Sequence, residues 1–229
     1  MSALAPSDIA EIEGQGDSAP AIGSSPDALS DRQREVLDVT LELLIENAAA
    51  LTMIAVARRA NCSKETLYKW FGDRDGLLAA TVRYQASKVR VEPFEAETID
   101  QTKLTDVLEG FARGLLSILT SDMSVALNRL AVSQAEAKSG APLGQIVLQN
   151  GRFSTGPRLK PAIEAGMRAG VLRPLDAEEA FRDFYGLAVR DTQIRILLGD
   201  DLQLSPKDIE AEARRATAQF FTLYAASAA

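Results

Sequence analysis

Between Thr52 and Leu78 lie the residues whose types and order can do chemistry. Ser63-Lys64-Glu65-Thr66-Leu67-Tyr68-Lys69-Trp70-Phe71 reads as a short helix with Ser63 at its N-cap, and Thr52 caps another short helix running through Ala60. Asn61, between them, tolerates the left-handed backbone that a tight turn needs. Two short helices around such a turn make a helix-turn-helix, whose second helix enters the DNA major groove with its first residues at base edges. The side chains suit that task. The free N–H groups and positive dipole end of the helix beginning at Ser63 favour phosphate. Lys64 can reach guanine acceptors or a phosphate, and Thr66 a thymine methyl or a backbone oxygen. Tyr68 and Lys69 have the length to meet phosphates and set the register. Glu65 can accept from a cytosine amino group or simply face solvent. Leu67 belongs to the same contacting helix, and its spacing of four from Phe71 turns it inward beside Trp70, fixing the angle at which the helix is presented.

Composition narrows the alternatives. The chain has 229 residues, 46 % hydrophobic and 25 % charged, which suits one or two helical units with a sizeable core. It holds one cysteine, Cys62, and no histidine. A single cysteine excludes an intramolecular disulfide, and the absence of histidine removes every Ser-His or Cys-His nucleophile and the commonest metal ligand. Acid–base catalysis would fall to carboxylates, Lys or Tyr, and the acidic helix face of Glu178, Glu179 and Asp183 reads better as solvated surface. No enzyme, cofactor or metal is expected. The net charge of −7 is unevenly spread: residues 51–90 carry eight bases against Glu65, Asp73 and Asp75, whereas residues 1–29 carry five acids and no base. A basic island in an acidic chain is the footprint of a polyanion-binding module, although a solvated charged surface looks the same in composition. No apolar run reaches membrane-spanning length and no secretory signal opens the chain, so the expectation is a cytoplasmic protein without a membrane partner.

The elements that position the motif follow from periodicity. Residues 1–29, rich in Ser, Ala, Pro, Gly and Asp, read as a disordered tail. Ser30 with Gln33 forms a capping box, and Leu37, Leu41, Leu44 and Ala48 make the apolar stripe of the helix behind it. Gly72 stops the recognition helix, and Asp73 caps a fourth helix to about Val91. Pro93 marks the end of a DNA-binding domain over 30–91, leaving a second domain over 92–229. There the pattern predicts helices near 101–120, 122–138, 142–150, 157–169, 176–198 and 205–225. The fold class expected is all-α, with no alternating strand pattern.

At these residues the sequence resembles the TetR family of bacterial transcription regulators. The resemblance rests on Thr52-Met53-Ile54-Ala55-Val56-Ala57, on Ala60 through Phe71, and on Gly72-Asp73-Arg74-Asp75-Gly76-Leu77-Leu78; it is strong over 30–80. Asn61 and Cys62 stand where the family usually has Gly-Val, Ile54 where a polar residue is common, and Arg74 where lysine is. The resemblance implies phosphate contacts from Thr52, Tyr68, Lys69 and Arg74, with Lys64 and Thr66 near bases. It also implies a C-terminal helical domain for effector binding and dimerisation.

That C-terminal half is apolar on more than one helix face. Phe181, Phe184, Tyr185, Leu187, Ile194, Leu197 and Leu198 exceed one core stripe, so the last two helices are expected to pair with a second copy. A dimer sets two recognition helices one or more DNA turns apart, so the expected partner is a pseudo-palindromic double-stranded operator. Phe111, Leu115, Met123, Leu127, Phe153, Met167, Phe184 and Tyr185 are the expected lining of a cavity for an unidentified small effector, the competing reading being plain core. Asn150 through Pro157 reads as a broken, mobile gate in which Arg152 can meet an acidic ligand. The functional expectation is a ligand-responsive regulator acting as a repressor; the alternative is an activator or constitutive regulator without a ligand.

Overall fold

Side-chain caps set where the helices start. The computed structural model describes residues 29–47, 51–135 and 143–226. Helix α1, Asp31–Asn47, opens on the Ser30–Gln33 box: Gln33 Oε1 accepts from Ser30 N at 2.9 Å, and Ser30 Oγ from Gln33 N at 3.2 Å. Helices α2 (Met53–Arg59), α3 (Lys64–Phe71) and α4 (Arg74–Ser87) open on Thr52, Ser63 and Asp73, each accepting from the N–H three residues on. Asp100 and Ser121 do the same for α5 (Gln101–Leu119) and α6 (Asp122–Ser133). Helix α7, Leu143–Val147, continues into a π-helical turn, Leu148–Arg152, and then into α8, Phe153–Arg168. Asp176 caps α9 (Ala177–Val189), α10 spans Thr192–Leu197, and a Ser205–Asp208 capping box with Pro206 in the first turn opens α11 (Pro206–Tyr224). No strand occurs among the described residues; one isolated bridge, Leu172 to Ala225, ties the α8–α9 turn to the end of α11. The all-α expectation holds.

Two cores divide the helices. One gathers Leu37 and Leu41 of α1, Val56 of α2, Leu67 and Phe71 of α3, and Leu77 and Leu78 of α4. It also takes in Leu127 and Ala131 of α6 and Leu143 of α7, so it reaches beyond residues 30–91. The other packs α5, α8, α9 and α11 around the fully buried rings of Phe111, Phe181, Phe184 and Phe220. The Phe184 and Phe220 rings meet edge to face, 5.3 Å between centroids.

Three expectations are corrected. The fourth helix ends at Ser87 rather than near Val91, because Arg158 of α8 donates to the carbonyls of Ala86 and Val89 and holds the chain as it leaves the helix. The helix expected over 176–198 is two helices. Arg190 takes φ 47 between them, and Arg215 of α11 donates to the freed Leu187 carbonyl at 2.8 Å. The stretch from Asn150 to Pro157 is not an open gate but helical backbone. The Ser154 and Thr155 hydroxyls donate to the carbonyls of Asn150, Gly151 and Arg152 and so stabilise the wide turn. The tail over 1–28, the end of the first helix at Ala48 and residues 136–142 lie outside the described residues.

Candidate functional site

Helix α1 holds the turn between α2 and α3. Asn61 adopts φ 50, as its residue type allows, and Cys62 N donates to Ala57 O at 2.9 Å. Arg32 reaches across to donate to the carbonyls of Ala60 and Asn61, the latter at 3.0 Å. Arg59, on the same side, pairs with Glu46 at 2.6 Å and lies 3.8 Å from Glu42, so it is bound to α1. Arg58 is exposed. Cys62 is half-buried, and burial pushes its thiol above the ordinary range, away from a reactive thiolate.

Helix α3 separates its faces as the motif requires. Leu67 is 0 % exposed and Phe71 6 %, both inside the N-terminal core. Leu67 therefore contacts core, not DNA, and drops out of the contacting set. Trp70 is half-buried and meets Phe71 edge to face at 6.1 Å. On the other face Lys64, Glu65, Tyr68 and Lys69 are exposed, Tyr68 to 52 %. Thr66 is half-buried beside the cap: Ser63 Oγ accepts from Thr66 N at 3.0 Å and lies 3.1 Å from Thr66 Oγ1. Hydrogen bonds from its own backbone N–H and then from Ser63 hold the Glu65 carboxyl below its usual range, which ties Glu65 to the helix start. Thr52 is exposed at the start of α2. Arg74 has a bracing task as well: its Nε donates to Leu51 O at 3.2 Å, tying α4 to the loop before α2 and leaving phosphate contact to its terminal nitrogens.

Helix α4 carries this face to the second feature of the molecule. Its start accepts the chain from α3, where Gly72 takes φ 79 and Asp73 Oδ1 accepts from Gly76 N at 2.7 Å. Its far end walls a cavity of about 310 Å³ between α4, α5, α6, the π-helical turn and α9. Of the expected lining, Leu115, Leu127, Arg152 and Tyr185 face this space. Phe111 and Phe184 are fully buried in the C-terminal core, Met167 packs beside it, Met123 packs against the N-terminal core, and Phe153 is 61 % exposed. These five do not line the cavity. The periodicity that marked them as apolar could not say which apolar face turns to the space and which to packed neighbours.

The polar groups of the cavity sit at its edges and on α4. Arg152 lays its guanidinium carbon 3.8 Å from the centroid of the Tyr185 ring and 5.1 Å from that of Phe181. Burial raises the Tyr185 phenol above its ordinary range, so it keeps its proton at neutral pH. Gln85, 4 % exposed, has a buried Oε1 with no hydrogen-bond partner. Asn128 and Gln193 add amides, and no carboxylate lines the space among the described residues. Gln85, Asn128 and Gln193 were missed in the sequence. A signal existed for Gln85, which interrupts the apolar positions Leu77, Thr81, Gln85 at spacing four along α4.

Comparison with known proteins places the same two regions in one group. Residues 36–81 match the family model of bacterial regulatory proteins of the tetR family, and residues 106–226 the AefR-like transcriptional repressor C-terminal domain. A TetR transcriptional regulator of Agrobacterium tumefaciens of known structure is 48 % identical, with a TM-score of 0.73, over 87 % of this chain and 97 % of that one. The structure of a TetR-family regulator of Mesorhizobium loti shares the fold, at 21 % identity and a TM-score of 0.69 over 85 % and 96 % of the two chains. The HTH-type transcriptional regulator BetI of Burkholderia thailandensis is 41 % identical over 54 residues, 23 % of this chain and 28 % of that relative's length.

Proposed function

Because the chain belongs to the TetR family of transcriptional regulators, we propose that it is a ligand-responsive repressor. In this reading it binds a pseudo-palindromic operator as a homodimer, and a small effector in the cavity releases it. One observation carries the reading: α4 belongs at one end to the core beneath the recognition helix and at the other to the cavity wall. Leu77 and Leu78 pack with Leu67 and Phe71, while Val82, Gln85 and Ala86 face the space. Arg83 of α4 donates to Asn150 of the π-helical turn at 3.1 Å, so the wall is fastened to the same helix. A π-helical turn at a ligand cavity is a common functional use of that geometry. The effector acts only through unequal affinity for two conformers. Shifting the operator-binding form from nearly all to nearly none takes about 10⁴-fold discrimination.

On α3, Lys64 and Thr66 serve base edges, and Thr52, Ser63, Tyr68, Lys69 and Arg74 serve the backbone. Lys69→Ala is expected to weaken binding to every duplex and to reduce the slope of log affinity against log salt by about 1. Thr66→Ala is expected to change base preference at one position of each half-site while leaving that slope unchanged. Titration of operator variants at several salt concentrations separates the two; identical behaviour of both variants and the parent overturns the assignment of α3.

A further inference from the structure

We infer that the cavity takes a small amphipathic hydroxy acid: an apolar body with one hydrogen-bond-donating hydroxyl and one anionic group. The inference deepens the effector reading above and rests on it for its regulatory meaning, though not for binding itself. Three features of the space select this chemistry.

The first is Gln85. A buried amide oxygen without a partner is costly, and the group that relieves it must be a donor. Lys and Arg donors are not placed at it, and the cavity lies directly over it. An O–H on a ligand supplies the missing bond, and an ether or a bare hydrocarbon does not. The second is Arg152, a cation half-buried at the same space with aromatic faces as its recorded partners and no carboxylate lining the cavity among the described residues. A carboxylate completes its charge, whereas a cationic ligand meets uncompensated repulsion. The third is the remainder of the wall. Val82, Leu115, Leu119 and Leu127 offer nothing but apolar surface, which the body of the ligand must match. The volume, near the lower limit for ligand pockets, restricts that body to one ring with a short arm or a comparable alkyl chain.

The position of Gln85 also says how occupancy is sensed. It stands on α4, one turn beyond Thr81 and two beyond Leu77, which packs in the core under the recognition helix. A ligand that bonds Gln85 therefore pulls on the helix that carries the DNA-binding face.

The test is direct calorimetric binding to the full-length protein at pH 7, without DNA, using two probe series. One is 4-hydroxycinnamate with cinnamate and methyl 4-hydroxycinnamate; the other is 10-hydroxydecanoate with decanoate and methyl 10-hydroxydecanoate. In at least one series the hydroxy acid is expected to bind at least tenfold more tightly than either analogue. Gln85→Met is expected to erase the preference for the hydroxyl while keeping that for the carboxylate, and Arg152→Gln to do the reverse. Gln85→Met, which removes the orphaned oxygen, is also expected to raise the melting temperature by about 2–4 °C, showing that it folds. Equal binding of hydroxylated and bare probes, or no binding in either series, overturns the inference. The same probes are then added to the protein–operator complex. Selective binding without release leaves the ligand class standing and refutes the effector role.

Discussion

Gly186→Arg is expected to convert the protein to a 24.6 kDa monomer and to lower operator affinity by about 10²–10⁴-fold. Gly186 sits on the outward face of α9, and a Cβ built there meets nothing within 4 Å. The arginine therefore leaves the fold of one copy intact. Around it run Leu187, Gln219 and Leu223, the last 53 % exposed, in the groove between α9 and α11. Both helices bury their other faces in the phenylalanine core, so this face is the one left for a second copy under the proposed dimer. Two helix pairs meeting about a two-fold axis need close approach, and a long cation at Gly186 prevents it. A monomer engages one half-site and loses the gain of linked binding, which is where the expected drop in affinity comes from. Sedimentation equilibrium and operator titration read both outcomes. A variant that stays dimeric and binds normally refutes the α9–α11 face as the contact.

Leu67→Ala is expected to cost about 2–5 kcal/mol of stability, whereas Tyr68→Ala next to it costs less than about 0.5 kcal/mol and still weakens DNA binding. Leu67 is 0 % exposed among α1, α2 and α4, and its loss leaves a hole in a small core. Tyr68 is 52 % exposed and has little packing to lose. Total stabilities of domains run to about 5–15 kcal/mol, so the first change removes a large share. Urea denaturation followed at Trp70, beside Phe71 in that core, reports it directly. The pair tests the orientation of α3: a rotation of the helix by one residue would exchange the two effects.

Local chemistry made much of this legible before any coordinates. Thr52, Ser63, Asp73, Asp176 and Ser205 announce helix starts because a side-chain oxygen next to free N–H groups has few other uses. Asn61 announced the turn for the same kind of reason, since few residue types accept its backbone angles. What escaped were features set by distant partners. The break at Arg190 depends on Arg215 and Glu212 of another helix, and no local residue marks it. The end of α4 depends on Arg158, some seventy residues away. The cavity is harder still, because an aromatic lining a space and one filling a core have the same spacing. Phe111 and Phe184 went to the core for that reason, while Gln85, the residue that gives the cavity its chemistry, is unremarkable until its oxygen is found without a partner.

The most direct test of the regulator reading is selection of genomic DNA fragments by the purified full-length protein at about 150 mM salt, followed by footprinting of the fragments retained. The expected result is enrichment of a pseudo-palindromic sequence, protected on two successive major-groove faces whose centres lie one or more helical turns apart. Folded, dimeric protein that enriches no sequence would contradict it.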